Sequence, residues 1–214
     1  MNASGYSEPL AAYCNSITEE FALIPEDRVQ ILNEIGDYIL QELMADRIAS
    51  LLFICTHNSR RSQLGQIWAL TAADYYSIGK VRTFSGGTVA TAFNPGTVAS
   101  LERAGFSVEV GRKGTKNPVY TFNSGKTFAS GPMRSKKYTS RENPSELFCA
   151  VMVCSQADAA CPFVPGASKR IVLPYTDPQV SDGTPQESNV YDDRCRQICR
   201  EMFRLMHYVK SGIF

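Results

Sequence analysis

Two spacings of apolar residues alternate along the chain. Leu51-Leu-Phe-Ile-Cys55 is a short unbroken apolar run that ends in polar, turn-forming residues, which predicts a buried parallel strand. Further strands are predicted at residues 81–85, followed by Gly86-Gly87, at 148–154 and at 170–174. Between them the spacing changes to three and four. Pro25 precedes a helix over 26–47 with Leu32, Ile35, Ile39 and Leu43 on one face. A second helix over 62–76 carries Leu64, Ile67, Trp68 and Ala72. A third opens at Asn94-Pro95, carries Val98, Leu101 and Ala104, and stops at Gly105. The closing helix, 190–210, turns Cys195, Ile198, Cys199, Met202, Leu205 and Met206 inward. Residues 107–146 lack periodicity and read as a long irregular insert, rich in Gly, Ser, Thr, Asn and Lys.

Strands alternating with helices imply an α/β fold whose parallel sheet is covered on both faces. Ligands of such folds bind beyond the carboxyl ends of the strands, and the stretch after Cys55 lies there. The chain divides into an N-terminal helical extension, 1–49, and a catalytic domain, 50–214, that contains the insert.

Composition narrows the class. The 214 residues are 43% hydrophobic, enough for a sizeable core, and the net charge of +1 gives no support for a nucleic-acid partner. No apolar run reaches the length of a membrane span, so no membrane partner is expected. The first nine residues lack the basic and apolar regions of a signal peptide, which points to a cytoplasmic protein. Seven cysteines, Cys14, Cys55, Cys149, Cys154, Cys161, Cys195 and Cys199, are then buried or redox-cycling thiols rather than a disulfide framework.

The loop Cys55-Thr-His-Asn-Ser-Arg-Arg61-Ser62 carries the chemistry. Five residues separate Cys55 from Arg61, and a loop this short between a strand and a helix can curl around one tetrahedral anion. Its amides and the helix N-terminus supply positive potential. Arg61 can hold two oxygens with its planar fork. The same field stabilises a thiolate at Cys55, and Ser62 can donate to that sulfur. Asn58 suits a left-handed position that shapes the loop. Thr56, His57, Asn58, Ser59, Arg60, Arg61 and Ser62 are therefore the expected phosphate or arsenate contacts. Asp177-Pro178, just past the fourth strand, offers a general acid for a leaving alcohol. Ser124-Gly-Lys-Thr127 has the closing letters of a nucleotide-binding loop. Tyr120 stands where that motif needs glycine, so no nucleotide is expected. Neither a cofactor nor a metal is called for.

The Cys-x5-Arg-Ser loop and the late Asp-Pro resemble the low-molecular-weight protein tyrosine phosphatases. The likeness is stronger to thioredoxin-coupled arsenate reductases, which share that fold. Residues 55–63, Ser85-Gly-Gly-Thr88, Asn94-Pro95 and Val153-Cys154-Ser-Gln-Ala-Asp-Ala-Ala-Cys161-Pro162 are similar to their active loop, second strand, following helix and redox segment. The resemblance spans roughly 50–106 and 147–210. It implies a flavodoxin-like three-layer fold with a four-stranded parallel sheet of order 2-1-3-4. It also implies an enzyme in which Cys55 attacks arsenate, Cys154 attacks the adduct and releases arsenite, and Cys161 resolves the disulfide for reduction by thioredoxin. Two other functions share the loop: hydrolysis of phosphotyrosine or another phosphomonoester, including a phosphoprotein, and a phospho-binding module without turnover. His57 stands where these families usually have glycine, Arg60 replaces a common second loop cysteine, and Gln66 replaces a carboxylate that helps hold potassium in some arsenate reductases.

Overall fold

The computed structural model describes residues 5–111, 114–125 and 130–213. Residues 1–4 of the extension, and Lys126 and Thr127 of the discounted nucleotide motif, lie outside the described residues, as do 112–113 and 128–129 of the insert. Two helices, α1 (Glu8–Thr18) and α2 (Glu26–Met44), precede β1 (Ala49–Cys55), α3 (Arg61–Tyr75), β2 (Val81–Gly87) and α4 (Pro95–Arg103). A hairpin of β3 (Ser107–Gly111) and β4 (Val119–Asn123) follows, then β5 (Phe148–Met152), α5 (Ser155–Ala160), β6 (Ala167–Val172) and α6 (Glu187–Gly212).

The main sheet is wholly parallel, in the order β2-β1-β5-β6. This is the expected 2-1-3-4 order once the hairpin, which forms a separate two-stranded sheet, is set aside. β1 is central and buried along almost its whole length, as its unbroken apolar run requires. Its last residues pair as Ile54↔Met152 and Cys55↔Gly87, so the carboxyl ends of β1, β2 and β5 lie side by side. Asn94 caps α4, its Oδ1 accepting from the Thr97 amide at 3.0 Å, with Pro95 at the first helical position.

Three features of the fold went unpredicted. In α1, Leu10, Cys14 and Ile17 recur at helical spacing and are fully buried. α1 joins the main core rather than standing apart: Tyr13 stacks on Trp68 at 5.5 Å, and Arg196 of α6 reaches Ser16 (3.0 Å) and Glu20 (2.9 Å). The insert is not irregular throughout. Its strands β3 and β4 pair antiparallel, and Phe122 is buried against Phe93 and Phe106. Only one face of that hairpin packs, which is why its apolar signal is weak. The third, α5, separates Cys154 from Cys161. No helix among the described residues is long and apolar enough to cross a membrane.

Candidate active site

The loop after β1 is shaped by where its carbonyls go. Cys55 O accepts from the Thr88 amide (3.1 Å), Thr56 O from Val89 (2.9 Å), Ser59 O from Asn94 (3.0 Å) and Arg60 O from Leu64 (3.0 Å). His57 O accepts from the Ser135 hydroxyl at 2.8 Å, and Asn58 O from Gln63 Nε2 at 3.0 Å. The carbonyls of residues 55–60 are thus all engaged by neighbouring groups. Among the described residues, no chain atom accepts from the amides of residues 57–62. That leaves a run of unengaged amide donors leading into the N-terminus of α3, a place where backbone N–H groups can bind an anion.

Asn58 is the pivot. It alone in the loop has a left-handed backbone, φ 46°. Its Nδ2 donates to Ser62 Oγ (2.9 Å) and its Oδ1 accepts from the Lys136 amide (2.9 Å). His57 has no positive φ, so the residue that replaces the usual glycine does not force the loop out of shape. Cys55 is buried, 3% exposed as a residue, and its Sγ lies 3.1 Å from Ser62 Oγ.

The guanidinium of Arg61 donates through Nη1 to the Tyr175 carbonyl (3.0 Å) and through Nη2 to Asp177. Its buried Nε has no hydrogen-bond partner among the described residues. Arg60 joins the segment around Asp177 to α6: Nε lies 3.9 Å from Asp177 Oδ1 and donates to Tyr191 Oη (2.6 Å), Nη2 donates to Asp182 (3.0 Å), and Tyr191 Oη donates to Asp182 at 2.7 Å. Arg60 thus offers the loop its amide, while its side chain clamps the segment after Asp177 onto α6. Asp177 accepts from the Gln179 amide (3.1 Å), which fixes the turn that presents it.

A cavity of about 340 Å³ opens at this mouth, lined by Arg61, Cys154, Gln156, Tyr175, Asp177 and Val180 among others. Cys154 Sγ lies 3.5 Å from Thr56 Oγ1 and accepts from the Ala157 amide at 3.3 Å, so the thiol itself caps α5. Cys161 sits at the other end of α5 and is buried. Arg170 of β6 holds that end down, donating to the carbonyls of Cys161 (3.1 Å) and Asp158 (3.0 Å). Cys154 and Arg61 therefore share a cavity, and Cys161 stands off from it by the length of a helix.

The other thiols sit in the core. Burial pushes Cys149 up to about 12 and Cys195 up to about 11, and raises Cys14 and Cys199 as well. Protonated and enclosed, these are packing groups.

Sequence reasoning missed the strap, residues 133–138 of the insert, that backs the loop. Ser135 Oγ accepts from the Thr91 amide (2.8 Å) while donating to His57 O, and Lys136 and Tyr138 bond Gly87. Gly86 makes room for this strap, and Gly87 for the loop after β1. A Cβ on Gly86 would fall 2.3 Å from Tyr138 Cα, and one on Gly87 2.7 Å from the Asn58 nitrogen. The adjacent glycines were the one available signal of a close approach.

No family model matches the chain. Its sequence is similar to that of an arsenate reductase of Bacillus licheniformis, 23% identical over 164 residues, covering 76% of this chain and 96% of that protein. Its structure is similar to that of a low molecular weight phosphotyrosine phosphatase of Vibrio cholerae O395, with a TM-score of 0.51 and 12% identity over 74% of this chain and 95% of that one. A low molecular weight protein tyrosine phosphatase of Bacillus subtilis gives a TM-score of 0.50 and 15% identity over 76% and 97% of the two chains.

Proposed function

For a chain that has the low-molecular-weight protein tyrosine phosphatase fold and whose sequence is similar to that of an arsenate reductase, we propose an enzyme that binds a tetrahedral oxyanion above Cys55 and reduces it with its own thiols. The substrate in this reading is arsenate. The observation that carries it is the second thiol at the mouth: Cys154 lies within 3.5 Å of loop residue Thr56 and lines one cavity with Arg61 and Asp177.

Cys55 attacks arsenic as the thiolate, and one arsenate oxygen leaves as water after protonation. The loop amides and Arg61 hold the remaining oxygens. Cys154, deprotonated, attacks Cys55 Sγ. The sulfur–arsenic bond breaks with its electron pair going to arsenic, which departs as arsenite, and a Cys55–Cys154 disulfide remains. Cys161 attacks Cys154, Cys55 leaves as a thiolate, and an external dithiol of the thioredoxin type reduces the Cys154–Cys161 disulfide.

The last exchange has a geometric condition. Seven residues of helical rise put the Cα atoms of Cys154 and Cys161 about 10 Å apart, whereas a disulfide needs less than about 7 Å. α5 must unwind. At six residues it is too short to be stable without support, and its cap is the sulfur that reacts.

Phosphomonoester hydrolysis is the second reading, favoured by Asp177. Its carboxyl group lines the same cavity as Arg61 and can protonate a leaving alcohol. A paired assay separates the two. Cys154→Ser is expected to abolish arsenate reduction with thioredoxin and to leave aryl phosphate hydrolysis within a few-fold of the parent. Equal loss of both activities would count against the relay, and hydrolysis alone in the parent would leave only the phosphatase reading.

A further inference from the structure

The N-terminal extension reaches the active site through a chain of contacts centred on the buried Glu201. Arg28, in the first turn of α2, donates through Nε and Nη2 to the two oxygens of Glu201 on α6, at 2.8 and 2.7 Å. Glu201 is 1% exposed, and it also accepts from Tyr175 Oη (2.7 Å) and Gln197 Nε2 (3.2 Å). The Arg28 guanidinium lies 4.8 Å above the Tyr175 ring, and its Nη1 donates to the Pro174 carbonyl at 3.1 Å. The next carbonyl, that of Tyr175, accepts from Arg61. Two consecutive peptide carbonyls are thus pinned by two guanidinium groups, one from the extension and one from the oxyanion loop. Asp177 follows two residues later.

We infer that Arg28 is a positioning residue for Arg61. It fixes the Pro174-Tyr175 backbone and the Tyr175 ring, so that the Tyr175 carbonyl anchors Nη1 of Arg61 beside the Cys55 loop. The extension then completes the oxyanion site as well as the core. This rests on the reading of the Cys55 loop as an oxyanion cradle.

The test must not leave a buried carboxylate alone, because that by itself destabilises. Arg28→Met combined with Glu201→Gln removes the fork and the buried charge together. The parent and the double variant are titrated with inorganic phosphate by calorimetry, at a temperature where circular dichroism shows both folded. Binding is expected to weaken about tenfold, and kcat/KM for an aryl phosphate to fall in step, because a displaced guanidinium loses its two-point contact. Arg28→Lys, which can reach one carboxylate oxygen but lacks the fork, should fall between. Tyr175→Phe breaks the same link with one hydroxyl and serves if the double variant does not fold; it too should weaken phosphate binding. Unchanged phosphate affinity in the folded variants would overturn the inference alone. Failure of the parent to bind phosphate would overturn the cradle and this inference with it.

Discussion

Asn58 shows how much of the cradle rests on one side chain. Its left-handed backbone sets the loop's curvature, and its amide joins Ser62 to the strap at Lys136. Asn58→Gly keeps the backbone freedom and loses both hydrogen bonds; Asn58→Ala also strains the φ angle. Both should lower stability by about 1–3 kcal/mol in urea unfolding, with alanine the worse, and both should weaken phosphate binding. The left-handed Asn58 was legible in the sequence, because few residues accept that conformation and the loop needed one. The commitment of Arg60 was not. Its partners Tyr191 and Asp182 lie 131 and 122 positions away, so its sequence position beside Arg61 suggested only added positive charge.

At the scale of elements, α5 matters most. A helix capped by Cys154 and tied at its far end by Arg170 is stable only while both hold. Hydrogen exchange of the amides of residues 157–161 is therefore expected to speed up in the Cys154–Cys161 disulfide form relative to the dithiol. Equal protection in the two forms would contradict the unwinding step. Arg170→Met should hasten transfer of the disulfide to Cys161, read as faster recovery of the Cys55 thiol after one turnover. The strands and long helices were legible because each buries a long stretch with one period. α5 and the β3–β4 hairpin were not. Six residues hold too few turns to show a repeat, and the hairpin buries only one face.

For the whole molecule, the extension is part of a single core. Leu10 and Ile17 are fully buried together with residues of β1, α3 and α6. Ile17→Ala should cost about 2–5 kcal/mol and shift one cooperative transition rather than create a second. Acid should act at the same seam. Burial alone would raise the Glu20 carboxyl, but Arg196 and Arg200 outweigh it and hold the group below its ordinary value. A depressed carboxylate contributes stability above its unfolded value, near about 4.3, and that contribution is lost as pH falls through the lower folded value. Glu20→Gln should therefore flatten the acid limb of stability against pH, and a limb unchanged from the parent would contradict this. The sequence placed a helix in the extension but gave no route from it to Arg61, because that route runs through Glu201, on a helix at the far end of the chain.

The most direct test of the relay is to stop it halfway. Cys161→Ser is mixed with arsenate for one turnover, free thiols are alkylated, and peptides are mapped by mass spectrometry without reduction. The relay predicts a Cys55–Cys154 disulfide formed in step with arsenite. Arsenite released with both thiols alkylated, or a disulfide joining another pair, would contradict it.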